Sequence, residues 1–222
     1  MKTAVIRFPG SNCDQDAYFA LNEDAGVKAE YVWHEDTSLA GFDAVFLPGG
    51  FSYGDYLRCG SMAARSPIMA EVERFAKEGR PVIGACNGFQ VLCEIGLLPG
   101  ALLLNEGQKF ICETVELEPV NRTSFWTRGI PKGKHLHIPI AHGEGRYVCD
   151  ADTLKRMQDE DLIAFRYVDN PNGSMDAIAG LVNARGNILG MMPHPERATR
   201  ALLGATDGLF VLRALSAVSA GV

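Results

Sequence analysis

The sequence has no long apolar run, no excess of basic residues and no nucleotide-binding motif. Its longest apolar stretch, Ile95–Leu104, is interrupted by glycine and proline, whereas a membrane-spanning helix needs about 20 apolar residues. Asp and Glu outnumber Lys and Arg by 27 to 21, which disfavours nucleic acid as a partner. The G-x-x-x-x-G-K-[ST] phosphate loop is absent, and Gly143-Glu144-Gly145 lacks the third glycine of a dinucleotide loop. These absences argue against membrane, nucleic-acid, ATP and NAD binding.

The six cysteines include no C-x-x-C pair, and no other spacing indicates a metal site, so we predict none. The first residues, Met1–Arg7, are too poor in apolar side chains for a signal peptide, which predicts a cytoplasmic chain. A disulfide framework is not expected in a reducing cytosol. Most of the cysteines are therefore predicted to be small buried hydrophobic side chains, unless one has a chemical role.

Strand and helix patterns alternate along the first half of the 222 residues. Strands are predicted at Thr3–Phe8, Ala29–Trp33, Asp43–Leu47, Pro81–Ala85, Lys109–Pro119 and, as a hairpin, Gly180–Met192. Helices are predicted at Asp14–Ala25, Ser66–Lys77 with Ser66 as its N-cap, Asn87–Ile95, Thr153–Glu160 and Asp207–Val218. We expect a single α/β domain over residues 1–222. Its sheet is predicted to be open and mostly parallel, with helices on both faces and antiparallel strands added late.

A cysteine stands between two glycines where a buried strand meets a helix, in Gly84-Ala85-Cys86-Asn87-Gly88. This is the spacing of a nucleophile elbow, a sharp strand-to-helix turn that exposes its central side chain. The helix N-terminus favours the thiolate form, and the backbone N–H of Asn87 is placed to stabilise an oxyanion. The pattern predicts that Cys86 is a nucleophile. The alternative is a buried cysteine at an ordinary turn.

Cys13 is a rival nucleophile, because it also follows a strand and precedes a helix. Its segment is Gly10-Ser11-Asn12-Cys13, and no glycine follows within two residues. A capping turn with Ser11 or Asn12 as the N-cap accounts for this segment. Cys13 is therefore not expected to be the nucleophile.

His194 is the best candidate base, since it follows a predicted strand in Pro193-His194-Pro195-Glu196. A thiolate nucleophile needs a base, and two prolines restrict the backbone around this histidine. The carboxylate two residues on can fix the tautomer of the imidazole, so Glu196 is predicted to orient His194. A histidine that caps a proline-rich turn is the alternative.

Two glycine-rich segments carry weaker signals. Pro48-Gly49-Gly50 ends another strand, and adjacent glycines can expose backbone N–H groups to a ligand. Gly50 is therefore a candidate for a second oxyanion donor. His142 lies in the segment Ala141–Gly145, which is predicted to be a loop.

Three of these blocks, Pro48-Gly49-Gly50, Gly84–Gln90 and His194–Glu196, resemble the class I (triad) glutamine amidotransferases in order and spacing. Longer segments resemble one branch of that family, the glutaminase subunits of phosphoribosylformylglycinamidine synthases. These segments are FPGSNCD at 8–14, PGGFSYGDYLRCG at 48–60, GACNGFQ at 84–90, IAHGEGRY at 140–147 and YVDN at 167–170. They span nearly the whole chain.

The resemblance implies a flavodoxin-like amidotransferase fold and a role for each matched residue. Cys86 would be the nucleophile, His194 the general base and acid, and Glu196 the orienting carboxylate. The backbone N–H groups of Gly50 and Asn87 would form the oxyanion hole. The glutamine substrate would be held by Gln90, Phe51, His142 and Gly143.

The resemblance also implies partners. Ammonia released from glutamine would pass to the synthase subunit of phosphoribosylformylglycinamidine synthase, which acts in purine biosynthesis together with a small accessory subunit. That synthase would use ATP and Mg²⁺. This chain is accordingly expected to carry no cofactor of its own.

Two other functions fit part of the pattern. A free-standing γ-glutamyl hydrolase would use the same Cys86 and His194 without a partner. A non-catalytic, flavodoxin-like binding module fits the acidic charge, but it leaves the set of Cys86, His194 and Glu196 unexplained. A glutamine-mimicking electrophile separates these functions. An enzyme directs it to Cys86, whereas the exposed thiols of a binding module react about equally.

Overall fold

The computed structural model describes residues 1–218 of the chain. Strands β1 to β11 are, in chain order, Lys2–Arg7, Lys28–Trp33, Ala44–Leu47, Val82–Ala85, Ala101–Leu103, Ile111–Pro119, Leu136–His142, Arg146–Val148, Ile163–Tyr167, Ile178–Val182 and Ile188–Met191. Helices α1 to α6 are Asp14–Phe19, Ile68–Lys77, Asn87–Glu94, Ala151–Asp159, Gly208–Leu212 and Ala214–Val218. A π-helical segment, Ala20–Ala25, continues α1.

Nine strands form one sheet in the order β2-β1-β3-β4-β11-β10-β9-β6-β7. The first five strands in this order are parallel to one another. From β11 onward each neighbouring pair is antiparallel. Strands β5 and β8 pair separately. The prediction of a parallel sheet that is extended late by antiparallel strands is confirmed.

Helices pack on both faces of the sheet, because the central strands are apolar on both sides. Side chains alternate between the two faces along a strand. In β4, Ile83 therefore joins the core that contains Ala17 of α1 and Leu212 of α5, whereas Val82 joins the core that contains Phe75 of α2 and Phe89 of α3. With both faces covered, the ends of the strands are the places where a ligand can reach the backbone.

The carboxyl ends of β1, β3, β4 and β11 meet at one edge of the sheet, because these strands are parallel. The segments that follow them carry Cys13, Gly50, Cys86 and His194. Residues that lie far apart in the sequence are thus brought to one edge. This is the edge at which open α/β sheets bind ligands.

Some local predictions are wrong. Ser66 does not cap α2; its hydroxyl lies 3.1 Å from the Tyr53 hydroxyl, and Pro67 precedes the helix. The helix predicted over 207–218 is divided at Arg213 into α5 and α6. The segment 141–145 is not all loop, because the ladder between β6 and β7 continues to the pair Ile111 and His142.

The cysteines are less buried than expected. Cys13 and Cys86 are buried and Cys112 is exposed, while the other three are intermediate. The two buried thiols are the two that lie at the carboxyl edge of the parallel strands. Within residues 1–218, no helix combines the length and the apolar character that crossing a membrane requires.

Candidate active site

The turn from β4 to α3 has the geometry of a nucleophile elbow. Cys86 has φ 50° and ψ −109°, a combination that costs about 1–3 kcal/mol for a residue with a side chain. The flanking glycines make the turn possible. A Cβ on Gly84 would lie 2.6 Å from the backbone of Gly88, and a Cβ on Gly88 would lie 2.1 Å from the carbonyl oxygen of Leu47. Both glycines of the predicted motif are therefore required sterically.

His194 and Glu196 form a buried pair after β11. The Nδ1 atom of His194 lies 2.7 Å from Oε1 of Glu196, and both side chains are almost fully buried. The backbone N–H of His194 donates to the carbonyl of Pro139 at 2.8 Å, which fixes the position of the ring. The predicted carboxylate–imidazole pair is present. Because Nδ1 is paired with Glu196, Nε2 is the ring nitrogen that remains available for proton transfer.

Burial disfavours the charged form of His194, but the Glu196 carboxylate and the Cys86 thiol outweigh it and raise the pKa of His194 well above its usual range. The imidazolium form of His194 is thereby favoured in the cavity that also holds the Cys86 sulfur. A histidinium next to a cysteine is what activates the sulfur as a nucleophile.

Cys86 and His194 line one cavity of about 160 Å³. The other lining residues are Asn12, Cys13, Gly50, Phe51, Phe110, Ala141 and Arg197. The rings of Phe51 and Phe110 stack with centroids 6.5 Å apart, and both rings are about half exposed. The cavity therefore has a polar, reactive floor and an aromatic rim.

Of the two residues predicted to be oxyanion donors, Gly50 lines this cavity and Asn87 directly follows the lining residue Cys86. Asn87 is the first residue of α3, so its N–H has no acceptor within the helix. The carbonyl of Gly49 accepts a hydrogen bond from the N–H of Cys13 at 3.3 Å. In a trans peptide the C=O and the N–H point in opposite directions, so the N–H of Gly50 points away from the Cys13 nitrogen. Gly50 has φ 140°, and a Cβ there would lie 2.7 Å from the backbone nitrogen of Asn12. Only glycine fits this position.

Three of the predicted glutamine contacts do not line the cavity. The side chain of Gln90 accepts from Asn87 Nδ2 at 2.8 Å and donates to the carbonyl of Glu144 at 2.7 Å. Gln90 thereby ties α3 to the loop after β7. The carbonyl of Gly143 accepts from the backbone N–H of Asn105 at 2.9 Å.

His142 is buried against Gly145, with Nδ1 3.1 Å from Asn105 Oδ1. Burial lowers the pKa of His142 to about 4, so its ring is neutral near pH 7. Its neighbour Ala141 reaches the cavity instead, with its carbonyl oxygen 3.8 Å from Cys86 Sγ.

The structure also brings Cys13 into the cavity, although the sequence analysis does not expect it to be the nucleophile. Neither Ser11 nor Asn12 caps α1; Cys13 itself is the N-cap residue and makes no side-chain capping bond. Its thiol lies 3.1 Å from Asn12 Oδ1 and accepts from Arg197 Nη2 at 3.2 Å. Burial raises the pKa of this thiol, and His194 offsets part of that rise.

Sequence reasoning also missed Phe110 and Arg197 as lining residues. The strand-to-helix position of Cys13 was a usable signal, whereas Phe110, the residue before β6, reaches the site only through sheet pairing. Larger clefts lie elsewhere on the surface, two of about 410 Å³ and one of about 320 Å³. None of these three has a cysteine or histidine in its lining, so the smaller cavity is the candidate active site.

Comparison with known proteins agrees with this geometry. A sequence model of the CobB/CobQ-like glutamine amidotransferase domain matches residues 1–206. Among solved structures, PurLQS from Thermotoga maritima has 45% sequence identity, with 98% of each chain covered and a TM-score of 0.90.

Two more distant structures share the fold. A glutamine amidotransferase from Thermotoga maritima has 18% identity and a TM-score of 0.59, with 91% of this chain and 79% of that chain covered. The glutaminase domain of Trypanosoma brucei CTPS, solved with bound acivicin, has 16% identity and a TM-score of 0.63, with 99% of this chain and 94% of that chain covered. At such identities the likeness concerns the fold alone.

Proposed function

Because the chain belongs to the CobB/CobQ-like glutamine amidotransferase family, we propose that it is the glutaminase subunit of phosphoribosylformylglycinamidine synthase. The observation that carries this proposal is the close match to PurLQS over nearly the whole of both chains. The elbow cysteine and the His194–Glu196 pair in one cavity supply the chemistry that glutamine hydrolysis needs. The full 222 residues would act as a single amidotransferase domain.

The first half of the reaction forms a thioester. The Cys86 thiolate attacks the side-chain amide carbon of glutamine, and an S–C bond forms as the carbonyl becomes an oxyanion. The N–H groups of Gly50 and Asn87 stabilise that oxyanion, and each such donor contributes about 10²–10³ in rate. The imidazolium of His194 then gives its Nε2 proton to the departing nitrogen. The C–N bond breaks, leaving ammonia and a γ-glutamyl thioester.

The second half regenerates the enzyme. His194 removes a proton from water, the resulting hydroxide attacks the thioester, and the S–C bond breaks to give glutamate. Cys86 leaves as a thiolate beside the newly formed imidazolium. Glu196 stays ionised throughout and holds the ring in the tautomer that keeps Nε2 toward the cavity.

The ammonia passes to a synthase subunit that uses ATP and Mg²⁺, with a small accessory subunit completing the assembly. This chain binds glutamine and works in the cytoplasm, without a cofactor of its own. The half-exposed rings of Phe51 and Phe110 lie at the rim of the cavity. A partner bound at this rim would receive the ammonia before it diffuses into the solvent.

The experiment is a steady-state glutaminase assay of the purified chain across a titration of the synthase with its substrates bound. Adjacent glycines can hold their peptide in more than one orientation, so we expect the partner to fix the Gly50 donor. One oxyanion donor is worth about 10²–10³ in kcat, so a partner that fixes the Gly50 N–H toward Cys86 should raise kcat by that factor. Full activity of the chain alone would identify a free-standing γ-glutamyl hydrolase instead. No glutamine hydrolysis in any mixture would leave only a binding module.

A further inference from the structure

Tyr53, three residues after the Gly50 donor, has a left-handed backbone conformation. Its φ is 54° and its ψ is 27°. A residue with a side chain keeps such a conformation only where the surrounding structure holds it, and backbone strain of this kind concentrates at functional sites. The contacts of Tyr53 therefore show what holds the segment that follows Gly50.

The Tyr53 hydroxyl contacts two other elements of the fold. It lies 2.8 Å from Nδ1 of His34, which follows β2, and 3.1 Å from the hydroxyl of Ser66, which precedes α2. The rings of Tyr53 and His34 meet edge to face, with their centroids 5.6 Å apart. We refer to these three residues as the Tyr53 cluster. It connects the segment after Gly50 to β2 and α2.

His34 is a well-fixed partner for this hydroxyl. Only 7% of the residue is exposed. Its backbone N–H donates to the carbonyl of Arg7 in β1 at 3.0 Å, and its carbonyl accepts from the N–H of Ile68 in α2 at 3.2 Å. The imidazole is thus attached to the sheet and to a packed helix at once. The position of the Tyr53 side chain is set by these elements and not by the loop that contains it.

Backbone hydrogen bonds carry the position of Tyr53 back to Gly50. The N–H of Tyr53 donates to the carbonyl of Pro9 at 2.6 Å, and the N–H of Phe51 donates to the carbonyl of Gly10 at 3.1 Å. A Cβ on Gly10 would lie 2.3 Å from the carbonyl oxygen of Phe51, so the two segments are in close contact. A change in the backbone of Tyr53 therefore moves Phe51 and the Gly50 peptide beside it.

We propose that Tyr53 is a positioning residue, whose hydroxyl keeps the Gly50 N–H directed toward the oxyanion formed during glutamine hydrolysis. Adjacent glycines can hold their peptide in more than one orientation, and the Tyr53 cluster limits that freedom from within the chain. The hydroxyl acts through the backbone and touches no reacting atom. The catalytic part of this role rests on the proposed function, whereas the effect on the Gly50 peptide does not.

The test compares the unchanged chain with Tyr53→Phe, which removes one hydroxyl and keeps the ring. Tyr56→Phe is the matched control, because it removes the same group from an exposed tyrosine of the same segment. The Gly50 amide is observed by ¹H–¹⁵N NMR of each full-length chain. Glutaminase kinetics are measured in the complex with the synthase and its substrates. The rate at which iodoacetamide alkylates Cys86 reports the thiolate alone.

In Tyr53→Phe we expect the Gly50 cross-peak to broaden or split, because its peptide samples a second orientation. The kcat should fall by about 2–10-fold, which corresponds to the loss of one hydrogen bond. The KM for glutamine and the alkylation rate of Cys86 should not change, and Tyr56→Phe should match the unchanged chain throughout.

Removing the other side of the contact gives a second test. His34→Ala should also broaden the Gly50 cross-peak and lower kcat. The double variant with Tyr53→Phe should lose no more kcat than the more damaging single change, because the two residues act as a pair. If Tyr53→Phe folds poorly, as checked by circular dichroism, His34→Gln tests the same contact.

Two results would overturn the positioning role. One is a Tyr53→Phe variant with an unchanged Gly50 cross-peak and an unchanged kcat. The other is a fall in kcat that comes with a raised KM and a changed alkylation rate, since that would be a general loosening of the site. Failure of the proposed function is distinct. It would appear as a Gly50 cross-peak that responds to Tyr53→Phe in a chain that hydrolyses no glutamine.

Discussion

Two strand-to-helix turns, one after β1 and one after β4, each bring a buried cysteine into the same cavity, yet their backbones differ. Cys86 has φ 50° and lies between glycines whose replacement would collide with the backbone. Cys13 has φ −101°, which any residue adopts without strain. Strained backbone concentrates at functional sites because the surrounding structure must be built to hold it.

The surroundings of the two thiols differ as well. Cys86 is the N-cap residue of the eight-residue helix α3, whereas Cys13 is the N-cap residue of the six-residue α1 and its sulfur accepts from Arg197. His194 lines the same cavity as both thiols. Proximity to the imidazole therefore does not identify the nucleophile. The elbow does, because it fixes the sulfur at the start of α3, next to the backbone N–H of Asn87 that we propose as an oxyanion donor.

Replacing each of the two cysteines in turn should give the largest difference between the two turns. Cys86→Ala should lower kcat for glutamine by about 10⁶-fold, the loss seen when a triad nucleophile is removed, while synthesis from free ammonium by the assembled synthase continues. Cys13→Ala should keep most of the glutamine-dependent activity. Parallel glutaminase and ammonium-dependent assays measure both. Equal losses from the two substitutions would contradict the assignment.

A smaller effect sharpens the account of His194. Glu196→Gln keeps the shape of the side chain but removes the charge that orients the ring, so we expect a loss of about 10⁴-fold in kcat, against about 10⁶-fold for His194→Ala. The KM for glutamine should hardly change. The loss should be the same in a Cys13→Ala background, because the pair acts on Cys86. A raised KM with kcat intact would make Glu196 a substrate contact.

The smallest of these effects concerns the elbow itself. In Gly88→Ala the new methyl would lie 2.1 Å from the carbonyl oxygen of Leu47, so we expect the free energy of unfolding to fall by about 3 kcal/mol. Gly107→Ala is the matched control, because nothing lies within 4 Å of that position. Urea denaturation compares the two. Equal unfolding midpoints would mean that the turn relaxes without glycine.

Local patterns in the sequence predicted much of the fold and the site. Three of these patterns are short-range signals: the G-x-C-x-G spacing, the proline-flanked His194 and the carboxylate two residues after it. The structure shows the elbow at Cys86 and the pairing of His194 with Glu196. The place of Cys13 in the cavity was not predicted, because its turn has ordinary dihedral angles and carries no local mark of function. Its neighbours His194 and Arg197 lie in the segment that follows β11. Only the order of the parallel strands brings them together.

Gln90 and His142 show a second limit. Their chemistry suits a substrate contact, but whether a polar side chain faces a ligand or the protein depends on partners distant in the chain. For Gln90 the partner is the Glu144 carbonyl, and for His142 it is Asn105. A sequence motif identifies the segment that builds the site and leaves the direction of each side chain to the packing around it.

The central claim is that Cys86, and not its neighbour in the same cavity, carries the γ-glutamyl group. The most direct measurement is peptide mapping by mass spectrometry after treatment with a glutamine-mimicking electrophile. The account predicts one adduct per chain, on the peptide that contains Cys86, with Cys13 unmodified and labelling suppressed by glutamine. An adduct on Cys13, or comparable labelling of both thiols, would contradict it.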